Sequence, residues 1–321
     1  MADNIIGDIY SQFDAALGSF YKTAALGVSA YVIPIAWVAF GICMLIWCYL
    51  MVEGKIAVPA TDWISKFVGF MVVLYAMGNG YLEWVATPIF SLPSEMTAAL
   101  SASSLDAPDL IGEVNSRVLD LVSAMFAAAS KLINELAIGP AITLFIMGAL
   151  VIAAAYLLLA TALFAIIFAK LGLSLVLAVG PIFILALVLP QTRSYFYAWL
   201  NTALYFVFYH IFSALFVFMF LGIVNAYLGN LNLMLGGDNS GGGVPAIVTR
   251  LLGIRGSELN VAAVTVPILM ISITMLFMFL QIPAVCASLT GGSGGSLGGG
   301  LSSFMSARSV LGRSRARSVK E

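Results

Sequence analysis

The residues able to do chemistry are few and scattered. His210, the only histidine, stands three positions before Ser213, so a helix would place both on one face, as a serine nucleophile and its base require. Tyr205, Phe206 and Tyr209 precede it, and no nucleophile motif surrounds it, so His210 reads as a hydrogen-bonded structural residue. Gly291-Gly-Ser-Gly-Gly295 has the glycines of a nucleophile elbow or a phosphate loop, yet lacks a preceding strand pattern and any Gly-Lys-Ser/Thr. It reads as a linker. Metal binding needs clustered Cys, His or carboxylate side chains. Cys43, Cys48 and Cys286 lie in or beside apolar helical runs and read as packing thiols, not as a disulfide framework. No catalytic residue, metal or other cofactor is expected. Lys170 alone interrupts a long apolar stretch, the kind of position where coupled carriers keep ionisable groups. It reads first as a helix-end lysine at a hairpin turn.

The elements that hold these residues belong in a membrane. From Leu136 to Ala307 only Lys170, Arg193, Asp238, Arg250, Arg255 and Glu258 carry a formal charge. Apolar residues make up 62% of the chain and charged ones 9%, against roughly 45–50% and about 25% in soluble domains. The charge-free runs Thr23 to Val52, Leu136 to Ala169 and Ser194 to Gly237 each exceed the ~20 residues a helix needs to cross a bilayer. Little chain is left for an extramembrane enzyme domain. The expected fold is all-α: a polytopic helical membrane protein with five or six transmembrane segments and a long periplasmic amphipathic helix.

Five regions follow along the chain. Residues 1–27 form an N-terminal amphipathic helix whose stripe includes Ile6, Ile9, Tyr10, Phe13, Leu17 and Phe20, with Asp8 and Asp14 off it. An acidic polar face fits a protein partner better than anionic lipid. Asp3, Asp8 and Asp14 against a single Lys22 are the reverse of a signal peptide's positive start, so the mature chain is expected to keep residue one. Residues 28–82 hold a first transmembrane pair, with Trp63 and Trp84 at the ends of the second, barely spanning helix.

Residues 83–139 are the main region outside the bilayer. Their stripe from Ile111 to Leu136 needs a partner surface, which makes Val118, Leu121, Met125, Leu132 and Leu136 candidate oligomer contacts. Residues 140–284 form a C-terminal transmembrane block with a Gly-rich loop at 225–260. Within it Ala149 and Ala153, and Ala165 and Ala169, permit close helix contact. Gly180-Pro181 predicts a hairpin or a bent, re-entrant segment. Residues 285–321 are a flexible Gly-rich basic tail with Arg308, Arg313, Arg315, Arg317 and Lys320.

Lys and Arg near spans stay in the cytoplasm. That puts the C-terminus inside and residues 83–139 in the periplasm, provided that residues 140–189 make one net crossing. Six spans with both termini inside and 83–139 cytoplasmic satisfy the charges equally. The tail's five cations beside a membrane read first as topology determinants on lipid phosphate, with nucleic-acid contact the open alternative.

Gly180-Pro-Ile-Phe183, Pro190-Gln-Thr-Arg193 and Tyr195-Phe-Tyr-Ala-Trp199-Leu200 together resemble the TrbL-type inner-membrane subunit of bacterial type IV secretion systems, the sixth component of the VirB-like set. The shared pattern is Gly-Pro-x-Phe, an apolar stretch, Thr-Arg, an aromatic and a Trp opening the next helix. It covers about 21 residues, while the architecture agrees over nearly the whole chain, apart from the large C-terminal extension that longer members carry. The resemblance implies a non-enzymatic homo-oligomeric ring, a pentamer, in the bacterial inner membrane at the base of the periplasmic stalk, supporting pilus assembly and substrate transfer in conjugation. Its implied partners are the minor pilus-tip subunit, pilin, the other inner-membrane secretion subunits and membrane lipid. Gly180, Pro181, Arg193 and Trp199 are the motif positions, expected to serve assembly. Two other readings stand beside this one: a multispan small-solute transporter or channel, and a membrane-embedded enzyme resting on His210 and Ser213.

Overall fold

In a computed structural model, residues 5–54, 60–100, 107–134, 138–187, 192–234 and 261–291 are described. All their regular structure is helical, in the order α1 (Ile5–Val52), α2 (Ala60–Met77), α3 (Asn79–Tyr81), a π-helical turn (Leu82–Ala86), α4 (Thr87–Leu100), α5 (Ala107–Asn134), α6 (Ile138–Ala178), α7 (Gly180–Leu185), α8 (Arg193–Met234), α9 (Val261–Phe279) and α10 (Ile282–Thr290). The protein is an all-α, polytopic helical membrane protein. Four helical stretches among the described residues have the length and apolar character to cross a bilayer: Tyr10–Val52, Gly148–Ala178, Arg193–Ala226 and Leu269–Thr290. A shorter apolar helix, Phe67–Met77, brings the candidate segments to five.

The N-terminal amphipathic helix and the first span are one helix. Alpha-helix α1 runs 48 residues, about 70 Å at 1.5 Å per residue, more than twice the ~30 Å of hydrocarbon. No sequence break falls at 27, and Pro34 sits inside it without ending it. Its two halves differ in burial. Tyr10, Tyr21 and Ala25 are packed away in the first half, whereas Tyr31, Ile35, Val38, Leu45 and Val52 are exposed in the second.

Alpha-helix α6 departs further from expectation. It continues through Lys170 for 41 residues, so the hairpin turn expected at that lysine is absent. Neither Gly-Pro nor a polar turn occurs there, and the lysine's charge is matched within the fold, leaving nothing to break the helix. The break comes at Val179, where ψ is 0°, and Pro181 enters α7 near its first position. Helix α8 extends to Met234, into the expected 225–260 loop, because 225–234 contains no proline. Residues 235–260, the tail from 292 onward with its basic residues, and Leu136 lie outside the described residues.

The first part of the α5 stripe, as far as Val122, finds its surface inside the subunit. Leu110, Ile111, Val114, Val118 and Val122 join a core with Ala155, Leu158 and Ala162 of α6 and with Tyr10. Val118, expected at an oligomer contact, is therefore covered by its own chain. Phe126 lies against Gly148, where a Cβ would come within 2.9 Å of its ring. Ala165 and Ala169 are likewise buried within the fold, while Ala149 and Ala153 remain exposed. Of the α5 residues with described side chains, Leu119 and Ile133 keep apolar surface outward.

Candidate functional site

Among the described residues, two polar constructions stand out inside the bundle. The first centres on Lys170, whose side chain is 3% exposed and whose Nζ stands 2.6 Å from Asp14 Oδ1 of α1. Nζ also donates to Ser94 Oγ of α4 at 3.3 Å and lies 4.6 Å from the centroid of the Phe90 ring and 6.0 Å from that of Tyr10. A lysine cation in an apolar bundle needs such compensation: a carboxylate, a hydroxyl and the negative faces of aromatic rings. Three helices distant in sequence thus meet at one charge. Lys170 is not a hairpin-turn lysine, because it lies in the interior of α6 with its ammonium turned inward. The arrangement fastens α1 and α4 to α6 and leaves the cation little capacity for another ligand.

His210 and Ser213 stand nearby on α8, 1% and 0% exposed. His210 Nδ1 and Ser213 Oγ both lack a hydrogen-bond partner, so the pair does not form the nucleophile–base bond of a serine hydrolase. An orphaned buried hydroxyl carries its desolvation cost without return. Ser213→Ala is therefore expected to leave the thermal midpoint of the detergent-solubilised protein unchanged or slightly higher, and His210→Gln to keep transfer activity. A midpoint lowered by more than about 3 °C in Ser213→Ala would show that the hydroxyl is paired in the assembled protein.

The second construction is the corner between α6, α7 and α8. Trp199, 4% exposed, donates from Nε1 to the Val176 carbonyl at 2.9 Å, and its ring stacks on Phe183 with centroids 6.3 Å apart. Tyr81, from α3, is 1% exposed and donates its hydroxyl to the Leu177 carbonyl. Gly180 and Pro181 are both buried between these donors. A Cβ on Gly180 would collide with the Tyr81 hydroxyl and approach Trp199 to 2.9 Å, so only glycine admits both rings. Along the same helix pair Gly172 receives the Phe206 ring, which lets α6 and α8 pack antiparallel at close range.

The structure brings Gly180, Pro181 and Trp199 together and leaves Arg193 apart. Arg193 is exposed at the start of α8, with its Nε 3.4 Å from the Leu187 carbonyl, and Thr192 Oγ1 donates to the Ala186 carbonyl at 2.7 Å. These bonds satisfy carbonyls past the end of α7. Of the candidate oligomer contacts only Val118 has a described side chain; nothing is assigned to Leu121, Met125 or Leu132.

Tyr81, Asp14 and Ser94 are the residues that sequence reasoning missed. Each joins a group far along the chain: 96 positions for Tyr81 and Leu177, 156 for Asp14 and Lys170, 76 for Ser94 and Lys170. A signal existed for one of them, since an isolated lysine in an apolar helix implies an acid somewhere, and Asp14 lay off its helix's apolar stripe. Ser29, in the second half of α1, makes a further bond of this kind, donating to the Met77 carbonyl at 2.7 Å.

A family model described as TrbL/VirB6 plasmid conjugal transfer protein matches residues 40–282. That stretch contains Lys170, Tyr81 and the whole corner, but not Asp14. No curated protein matches the chain.

Proposed function

Since the chain belongs to the TrbL/VirB6 family of plasmid conjugal transfer proteins, a component of type IV secretion and conjugation, we propose that it is a structural subunit of the inner-membrane complex that forms an oligomeric base for the periplasmic stalk. The observation that carries this reading is the use made of the polar groups that pair across the helices. Lys170, Asp14, Ser29, Tyr81 and Trp199 each hold one helix to another. Chemistry is not what these groups are arranged for. Meanwhile the second half of α1, with Tyr31 81% and Val52 89% exposed, has apolar surface for lipid and for neighbouring subunits.

In this reading the ring is fivefold, α5 and its surroundings face the periplasm, and pilin and the minor pilus-tip subunit meet the assembly there. Leu119 and Ile133, which remain outward, join Leu121, Met125, Leu132 and Leu136 as the oligomer contacts of α5 and its surroundings, while Val118 braces α5 against α6. A transporter is the second reading, favoured by one observation: an ion pair within membrane helices is what a coupled carrier would contain.

Native mass measurement of the protein extracted in mild detergent separates them. A homo-oligomer of about five copies is expected, and Leu119→Asp with Ile133→Asp is expected to shift it toward monomer. A monomer or dimer from the unaltered protein would overturn the ring. For orientation, a Cys at Ser116, exposed on α5, is expected to react in intact cells with an impermeant thiol reagent. Protection there, with reaction only after lysis, would place α5 in the cytoplasm.

A further inference from the structure

We propose that Tyr81 is the positioning residue of the α6–α7 corner, its phenolic O–H standing in for the backbone N–H that Pro181 removes and thereby docking the N-terminal helices onto the C-terminal block. In a helix the carbonyl of residue i accepts the N–H of residue i+4. For Leu177 that residue is 181, a proline, which has no N–H to give. The carbonyl is buried in apolar surroundings where water does not substitute, so an external donor is required. Tyr81 supplies it.

Three observations converge on this role. Tyr81 is almost fully buried, so its hydroxyl has been carried into the core. Gly180 lacks the Cβ that would strike that hydroxyl. Tyr81 also belongs to the same packed cluster as Trp199, Leu177 and Phe90, which includes residues of both halves of the chain. Pro181 and Tyr81, 100 positions apart, are therefore one device: the proline opens the corner and the tyrosine closes its hydrogen bonding. The inference does not depend on the secretion reading, because it concerns how the two halves of the subunit are joined.

The test is a double-mutant cycle on the full-length detergent-solubilised protein, read as thermal midpoint. Tyr81→Phe removes only the hydroxyl and is expected to lower the midpoint by on the order of 2–6 °C. In a Pro181→Ala background residue 181 regains an N–H for the Leu177 carbonyl, and the same substitution is expected to cost less than half as much. Equal losses in the two backgrounds, or no loss in the unaltered one, would overturn the proposal. A second arm does not need Pro181→Ala to fold. Gly180→Ala displaces the Tyr81 ring by itself, so adding Tyr81→Phe is expected to cause little further loss; fully additive losses would also overturn the proposal.

Discussion

Asp14→Leu is expected to deplete the protein from the membrane fraction and to lower the thermal midpoint of what remains by roughly 4–8 °C, whereas Asp14→Leu with Lys170→Met should come back close to the unaltered protein. Lys170 is held 97% out of solvent with Asp14 at 2.6 Å. Removing one partner of a buried pair leaves an uncompensated charge, at a cost of about 3–5 kcal/mol. Asp14's own side chain is 35% exposed, so water reaches that side of the pair and the lower end of this range applies. Even so, about 3 kcal/mol is a large part of a typical 5–15 kcal/mol stability. The double substitution removes charge and counter-charge together and fills the space with apolar atoms, which is often neutral or better. The idea fails if the single variant matches the unaltered protein, or if the double variant is as damaged as the single one. The second outcome would mean that the ion pair does more than hold α1 to α6, and would favour the carrier reading.

Trp199→Ala should be the most damaging change in the corner, ahead of Trp199→Phe, with Arg193→Ala nearly silent for stability. Trp199 contributes a buried ring stacked on Phe183 and packed near Phe196, with centroids 5.7 Å apart for the latter pair. Truncation to alanine costs about 3–5 kcal/mol for the lost packing and cavity. It also strands the Val176 carbonyl, a further penalty of about 1–3 kcal/mol. Phenylalanine keeps much of the packing and loses only the N–H, so it should sit between. Arg193 is exposed and its only described bond is a long one at 3.4 Å, so any effect of Arg193→Ala is expected in conjugative transfer through contacts with neighbours. Thermal midpoints for the three variants, set beside transfer frequency at matched protein level, decide the order. An Arg193→Ala protein less stable than Trp199→Ala would show that the motif works through the membrane-surface arginine and not through the buried indole.

What the sequence by itself determined was written in local pattern. Composition and charge-free runs established a helical membrane protein, since the need to satisfy every backbone group within the bilayer leaves few other solutions. The stripe from Ile111 onward identified a long amphipathic helix, and Gly180-Pro181 marked the place where α6 breaks. These are properties of windows of about 20 residues, and periodicity reads them directly. The tertiary structure decided what each pattern meets. Only the fold shows that the α5 stripe from Ile111 to Val122 packs on α6, that residues 5–52 form one helix, and that Lys170 lies inside the bundle because a carboxylate 156 positions away neutralises it. The same holds for Tyr81, which nothing in its own neighbourhood marks out. Its role exists because proline deprives a distant carbonyl of its donor, and the identity of a replacement depends on which side chain the folded chain carries there. Hydrogen-bond deficits and buried charges are visible in a sequence, but the groups that answer them are selected by proximity in space.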